Sequence, residues 1–161
     1  MRLLNSVCKV IADHNANVPI HIMDVPQGFK RPCFLVTLAT ESTTLLNLNT
    51  YQDDPTYQIV YFNTRNEADQ VYPEGLYSMR ESLKALFLLP GVFPVITGEG
   101  EKQRYAHVEN FSSEVRLSEN AVYTKFNATF TETARSDPDD AFDPIGEVEF
   151  GEGLIVVPNV E

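Results

Sequence analysis

The chain has 161 residues, of which 43% are hydrophobic, and its net charge is −11 at pH 7. This length is typical of one domain with a sizeable core. The acidic excess argues against a DNA- or RNA-binding surface, because such surfaces cluster Lys and Arg against phosphates. No apolar run approaches the roughly 20 residues of a membrane span, and the N-terminus lacks a secretory-signal pattern. We therefore expect no membrane partner and assembly in the cytoplasm.

The first predicted element is an amphipathic helix that ends in the segment Asn15–Pro19. A strand is expected over about residues 18–25, followed by a turn at residues 26–28 and a second strand at Cys33–Leu38. Because only a short turn separates the two strands, a hairpin is the simplest pairing. The helix prediction rests on apolar residues spaced as one stripe: Leu3, Leu4, Val7, Val10 and Ile11.

The middle of the chain predicts a loop, a strand and a second helix. Residues 40–55 are polar and favour a loop with at most a short strand, and Thr56–Asn63 predicts a strand. Asn63–Asn66 is typical of a turn and a helix N-cap. The regular helix is expected to start near Pro73, after a looser turn from Glu67, and to stop at Pro90. Its apolar residues are Leu76, Met79, Leu83, Leu86 and Phe87.

Strands are predicted to close the domain, at Phe93–Ile96, Tyr105–Phe111 and Ala121–Thr131, with a turn at Gly98–Gly100 after the first. The last strand alternates between a packed and a wet face. The predicted fold class is α+β, with a mainly antiparallel mixed β-sheet and two helices packed on one face. Residues 1–133 form this single domain, and residues 134–161 form an acidic C-terminal extension.

The C-terminal extension holds eight acidic residues and one basic residue, Arg135, so it carries −7 of the total charge of −11. Such a stretch is usually solvated. It nevertheless ends in an apolar run that suits an added strand, on its own sheet or on a neighbour. This run is the candidate partner-contact segment: Leu154, Ile155, Val156 and Val157.

No pattern of catalytic residues stands out. The three histidines, His14, His21 and His107, occur without a Gly-x-Ser-x-Gly nucleophile motif, and two of them lie in predicted strands. Cys8 and Cys33 are expected to be free thiols, because a structural zinc site needs about four ligands at short spacings. We predict no catalytic residue and no enzymatic activity.

Two segments resemble ligand loops only superficially. Gly98–Lys102 lacks the spacing of a phosphate-binding loop, so a hairpin turn is favoured. A calcium loop beginning at Asp137 would need Gly at its sixth position and Glu at its twelfth. These positions are Phe142 and Val148. No metal or other cofactor is therefore expected.

The segment Gln27–Val36, with the order Gln-Gly-Phe-Lys-Arg-Pro before an aromatic-rich strand, resembles a recurrent motif of one family. The family is the tail terminator, or tail completion, proteins of long-tailed phages and prophages of Gram-positive bacteria. The resemblance continues at Tyr61-Phe62 and at Val122–Phe130, and it covers about residues 1–132. Pro73 and Gly75 depart from the family's uninterrupted second helix, and the tail after Thr133 is longer than usual.

The resemblance implies a structural virion protein that forms a homo-oligomeric ring, generally a hexamer, on the head-proximal end of the tail tube. The ring would stop tube elongation and face the head connector, so the expected partners are the chain itself, the tube protein and the connector. DNA would pass through the lumen without specific binding. The motif residues Gln27, Gly28, Phe29, Lys30 and Pro32 are expected to shape a turn, to contact a neighbouring subunit, or both.

Other functions stay open at this point. A head-completion or stopper protein would bind the connector side of the same joint. A small soluble enzyme or ligand-binding domain would need a deep pocket with convergent polar groups. An acidic mimic of DNA would space carboxylates along one face and act without a ring.

Overall fold

The computed structural model describes residues 2–65 and 71–133. Within these ranges the chain forms two helices and eight strands around one core. The helices are α1 (Arg2–His14) and α2 (Pro73–Leu83), and a π-helical turn (Lys84–Leu88) extends the second. The strands are β1 (Ile20–Ile22), β2 (Cys33–Thr40), β3 (Thr43–Asn47), β4 (Thr50–Asp53), β5 (Thr56–Phe62), β6 (Val92–Val95), β7 (Arg104–Arg116) and β8 (Ala121–Thr133).

The strands form one mixed sheet organised around β8. Strands β5 and β4, separated only by Asp54 and Pro55, pair with successive stretches of β8, and β7 also pairs with β8. Beyond them the sheet continues through β2 to β1, through β4 to β3, and through β7 to β6. All pairs are antiparallel except β1 with β2. The α+β class and the single domain are therefore confirmed.

Both helices pack on the same face of the sheet, and this face carries the buried residues of the paired strands. Tyr57 lies opposite Phe126, and both belong to the core. The Phe126 ring stacks on Phe87 at a centroid distance of 4.8 Å and also contacts the rings of Phe93 and Phe111. The predicted alternation of β8 is confirmed, with one buried set: Val122, Thr124, Phe126, Ala128 and Phe130.

The helix predictions hold, apart from the N-cap of the second helix. Its N-cap is Tyr72, which makes no side-chain capping bond, whereas the sequence favoured the turn at Asn63–Asn66. Pro73 occupies the first turn, where its missing N–H has no intrahelical partner to lose. Residues 66–70, which include most of the predicted looser turn, lie outside the described residues.

The predicted hairpin between the first two strands is wrong, because β1 and β2 run parallel. Ile20 pairs with Phe34 and Ile22 pairs with Val36. The ten residues between the strands therefore return the chain to the end of the sheet at which β1 begins, so that β2 runs in the same direction. The first strand is also shorter than predicted. Met23 follows it with a left-handed φ of +67°, a conformation that interrupts regular strand geometry.

The loop predicted over residues 40–55 is instead a β-hairpin formed by β3 and β4, which we call the hairpin arm (residues 42–54). Thr43 pairs with Asp53, and Leu45 pairs with Tyr51. Every residue of β3 is exposed, so the arm has no buried face to produce the hydrophobic alternation from which strands are predicted.

Candidate functional site

The predicted turn at Gly28 opens the connection between β1 and β2. The Phe29 N–H donates to the carbonyl oxygen of Pro26 at 3.1 Å and closes the turn. Gly28 has φ +76°, a left-handed conformation that a side chain would disfavour. The turn predicted at residues 26–28 is thus confirmed.

The aromatic residue of the motif packs on the sheet of its own chain. The rings of Phe29 and Phe62 lie 4.9 Å apart between centroids. The Arg31 guanidinium lies near both rings, 5.1 Å from the Phe62 centroid and 5.6 Å from that of Phe29. These contacts fix the turn against the end of β5.

Arg31 also joins the turn to two distant segments of the backbone. Its Nη1 donates to the carbonyl oxygens of Asn63 at 3.4 Å, Glu119 at 3.2 Å and Asn120 at 3.3 Å. Sequence reasoning passed over Arg31 in favour of its neighbours. The available signal was a cation between the motif residues Phe29 and Pro32, but its partners lie 32 to 89 residues away.

Two of the three carbonyls that Arg31 contacts belong to a buried asparagine pair, Asn63 and Asn120. The Asn63 N–H donates to the Asn120 carbonyl oxygen at 3.0 Å, and the Asn120 side chain donates to the Thr64 carbonyl oxygen at 2.9 Å. Asn120 has φ +52°, which asparagine tolerates better than most residues. The pair joins the end of β5 to the turn between β7 and β8.

The motif therefore has an inner and an outer side. Phe29, Arg31 and Pro32 are half-buried against the chain's own sheet, whereas Gln27 and Lys30 are exposed. The inner residues suit a fold role. The outer residues are accessible to a neighbouring molecule.

The hairpin arm carries three exposed leucines, one of which is the most exposed leucine among the described residues. Leu48, at the tip, is 93% exposed, Leu45 is 70% exposed and Leu46 is 52% exposed. Three exposed leucines within four residues form an apolar surface that a single copy of the chain leaves in water. Such surfaces commonly mark contacts with other proteins.

Polar contacts hold the base of the arm to the body of the domain. The Tyr51 hydroxyl donates to Glu132 Oε2 at 2.6 Å, and this bond raises the pKa of Tyr51. Glu132 Oε1 accepts from Arg2 Nη1 at 3.1 Å, and Arg2 Nη2 lies 2.9 Å from Glu101 Oε2. Individually such surface pairs contribute little, but this network links α1, β4, β8 and the turn before β7.

The side chains with catalytic potential are dispersed. His14 ends α1, His21 lies in β1 and His107 lies in β7. Cys8 is half-buried and Cys33 is buried, and burial raises the pKa of both thiols, which keeps them protonated and poorly nucleophilic. Within residues 2–65 and 71–133, no group of three or more His, Cys, Asp or Glu side chains is arranged to hold a metal ion.

The segment Gly98–Lys102 forms the predicted hairpin turn. The Glu101 N–H donates to the Gly98 carbonyl oxygen at 3.1 Å, and the Gly98 N–H donates to the Glu101 carboxylate at 3.0 Å. The Glu101 carboxylate thus accepts a hydrogen bond from a backbone N–H that, in a phosphate-binding loop, would donate to the phosphate.

Two open recesses of the described surface are lined by charged groups, several of which form ion pairs with one another. The one beside the arm measures about 550 Å³ and is lined by the charged groups of the Arg2–Glu132 network, which pair with one another. Another, of about 320 Å³, lies on the wet face of the sheet and includes Arg116, which pairs with Glu114 and Glu119. Neither resembles a deep apolar pocket with a few convergent polar groups.

Two sequence-based predictions lie outside the described residues. These are the partner-contact segment Leu154–Val157 and the acidic run Asp137–Asp143. Of the helices in the described part of the chain, none has both the length and the apolar composition to cross a bilayer.

Comparison with known proteins gives one family. A family model described as "Phage tail terminator protein" matches residues 2–140, which include every described element. A comparison with curated proteins found no match.

Proposed function

Since this chain belongs to the phage tail terminator family and so is a structural protein of phage tail assembly, we propose that it caps the head-proximal end of the tail tube as a ring. The ring stops tube elongation and presents a surface to the head connector. The family match over residues 2–140 carries this proposal. The chain's partners are then further copies of itself, six in a closed ring, together with the tube protein and the connector.

Several features of the described residues agree with a non-enzymatic assembly role. The potentially reactive side chains are dispersed, and the exposed leucines of the arm provide an apolar surface for association. A ring held by one repeated head-to-tail contact needs no chemistry beyond interface burial and symmetry that closes.

The charge supports the passage of DNA through such a ring. A net charge of −11 repels phosphates, so a lumen lined by carboxylates would let DNA pass without binding. We propose that part of the acidic excess faces the channel. A structure of the assembled ring with a neutral or basic lumen would overturn this part of the proposal.

The test combines light scattering with electron microscopy. The purified chain is measured alone and after addition to tubes assembled from the tube protein encoded with it. A ring on one end of each tube, with tube growth arrested at that end, supports the proposal. A chain that stays monomeric and leaves tube growth unchanged contradicts it, and binding to the connector alone would indicate a stopper.

A further inference from the structure

We propose that the C-terminal run Leu154–Val157 of one copy adds a strand to an open edge of the sheet in the next copy of the ring. The receiving edge consists of residues 39–47, at the end of β2 and along β3, and we call it the open edge. This inference rests on the proposed ring, and it names both surfaces through which neighbouring copies meet.

Strands β2 and β3 form one continuous side of the sheet. The register of β2 with β5 passes unchanged into that of β3 with β4, from Thr40 opposite Thr56 to Thr43 opposite Asp53. Strand β1 pairs only with residues 34–36 at the other end of β2. The upper part of this side is therefore left without a neighbouring strand among the described residues.

The open edge offers backbone groups to a further strand. Each of its residues is exposed. On its inner side the Ser42 carbonyl oxygen accepts from the Asp54 N–H at 2.8 Å. Because successive residues of an antiparallel strand direct their backbone groups to opposite sides, Glu41 and Thr43 direct theirs outward. These outward N–H and C=O groups are the template that an added strand requires.

The open edge has few of the features that discourage strand addition. Edges are usually protected by charged side chains, proline, bulges or a covering element. The sequence of the open edge, Ala-Thr-Glu-Ser-Thr-Thr-Leu-Leu-Asn, contains one charged residue and no proline. Its two register shifts lie at its ends, so the pairing between them is regular.

The opposite side of the sheet is better protected. Strand β6 contains Pro94 and packs against α1. Beyond the four residues that pair with β6, β7 carries Glu109, Glu114 and Arg116, and a register shift falls within this stretch. Charges, proline and bulges are the usual guards of an edge, so strand addition is favoured at the open edge instead.

The run Leu154–Val157, which lies outside the described residues, has the composition of an added strand. Its sequence is Leu-Ile-Val-Val, without charge. Three of these four residues are β-branched, a class enriched in strands. Gly153 precedes the run and Pro158 follows it, and both residue types commonly bound strands. Because side chains alternate along a strand, the run would place apolar groups on both faces of a sheet.

The open edge presents apolar side chains on both faces as well. Leu45 and Leu46 are consecutive in β3, so they lie on opposite faces, and they are 70% and 52% exposed. An added strand with two apolar faces would cover both leucines. Burial of apolar surface is the main favourable term in such a contact, and main-chain hydrogen bonds add affinity.

The length of the intervening segment suits a neighbouring copy. Strand β8 ends at Thr133, opposite Thr50 near the tip of the hairpin arm. The open edge of the same copy is then about three strand spacings away, or about 14 Å. The 20 residues 134–153 can span as much as about 66 Å. A domain of this size is about 36 Å across, so the segment can cross to the next copy.

The charge of the same segment favours the next copy. Residues 134–153 contain seven acidic residues and one basic residue. Like charges along a linker repel one another and extend it. An extended linker directs the run away from its own copy, and a ring holds the edge of the next copy at high effective concentration.

The symmetry of the contact is that of a ring. Each copy donates one run to its successor and receives one from its predecessor, so the two contacting surfaces differ. Such a heterologous contact generates a ring when its rotation closes.

The first test is a disulfide cross-link between two different chains mixed in rings on tail tubes. One chain carries Leu45→Cys, and the other carries a cysteine at one of the four positions of the run, each tried in turn. A disulfide needs Cα atoms within about 7 Å, so the position in register should give mixed covalent dimers. The matched control uses Leu117→Cys in place of Leu45→Cys, at an exposed residue in the turn between β7 and β8.

We expect at least one position to give mixed dimers in a yield about tenfold or more above the control, given the steep distance requirement of the bond. Rings without this enrichment would overturn the contact and leave the proposed function standing. Disulfides that form only within single chains carrying both cysteines would also overturn it, because they place the run on its own copy. An absence of rings for the unsubstituted chain would overturn the proposed function and the contact with it.

Proline substitutions give a second, independent measurement. Proline has no N–H to donate, so Val156→Pro interrupts the added strand, whereas Val160→Pro lies beyond the run. We expect Val156→Pro to lower the fraction of tubes that carry a ring about tenfold, as loss of a central interface residue does, and Val160→Pro to leave it unchanged. Equal fractions for the two variants, with equal urea midpoints of unfolding, would contradict the contact.

Discussion

At the scale of single residues, Arg31 shows how one side chain can stabilise a turn together with two distant chain segments. It contacts two aromatic rings and three carbonyl oxygens. The guanidinium suits this position because it presents several donors in one plane, which Lys does not. The turn depends on Arg31 more than on its exposed neighbours.

Replacement of Arg31 should therefore destabilise the domain. We expect Arg31→Ala to lower the free energy of unfolding by about 1–3 kcal/mol, because half-buried carbonyl oxygens lose a charged donor. Urea unfolding followed by circular dichroism measures this change. Lys30→Ala is the matched control. Because Lys30 is exposed, its replacement should change the free energy of unfolding by no more than about 0.5 kcal/mol. Equal effects of the two substitutions would contradict the assigned role.

A second residue-scale prediction concerns alkaline pH. Burial, and then the charges of Glu41 and Asp53, raise the pKa of Tyr57 well above its usual value. The folded state therefore keeps the phenol proton at a pH where the unfolded chain loses it. The stability that this provides is fully present below about pH 10, the unfolded pKa, and is lost as the pH rises above it.

The measurement is the urea midpoint of unfolding at a series of pH values from 8 to 11. The unsubstituted chain should lose stability above about pH 10, and Tyr57→Phe should lose less, because it has no phenol to ionise. Tyr77→Phe, at a position that is 49% exposed, is the control and should follow the unsubstituted chain. Parallel curves for all three proteins would contradict the prediction.

At the scale of elements, the hairpin arm is held at its base and exposed at its tip. Strand β4 pairs with the last four residues of β8, and Tyr51 adds the bond to Glu132. The tip carries Leu48 into solvent. This arrangement fixes the direction of the arm without burying it.

Removal of the Tyr51 hydroxyl should loosen the arm and leave the core unchanged. We expect Tyr51→Phe to speed amide hydrogen exchange in residues 43–53 several-fold, because local opening no longer has to break the bond to Glu132. Exchange in β5 should stay the same. Hydrogen exchange read by mass spectrometry makes the comparison, and unchanged exchange in the arm would show that backbone pairing alone holds it.

The elements also show what a sequence can and cannot reveal. The helices, β2, β5 and β8 could be predicted because each has a buried face that leaves a periodic pattern, as at Val122–Phe130. The arm leaves no such pattern, since β3 is exposed throughout. The parallel pairing of β1 depends on contacts with β2 that local turn rules do not contain, and the role of Arg31 depends on partners up to 89 residues away.

At the scale of the whole molecule, we expect the domain to provide the stability of the fold and the acidic extension to act in assembly. The described core lies within residues 2–133, and the extension carries −7 of the net charge. Deletion of residues 134–161 should leave the unfolding midpoint nearly unchanged, because no described core residue is removed.

The same deletion should weaken ring formation on tubes, because it removes the proposed partner-contact segment Leu154–Val157. Electron microscopy of tubes with the truncated chain measures the effect. A control deletion of residues 158–161 keeps that segment and should assemble normally. Unchanged ring formation by the chain that lacks residues 134–161 would refute a contact role for the extension.

The central position of β8 has a consequence for synthesis. It is the last strand of the described chain, yet β4, β5 and β7 all pair with it. A nascent chain that has been synthesised only as far as Arg116 therefore contains three strands whose common partner, β8, has not yet been made. At about 5–20 residues per second the ribosome supplies β8 within seconds, and until then the apolar faces of these strands are open to aggregation. Cooperative closure of the sheet must wait until nearly the whole domain has emerged.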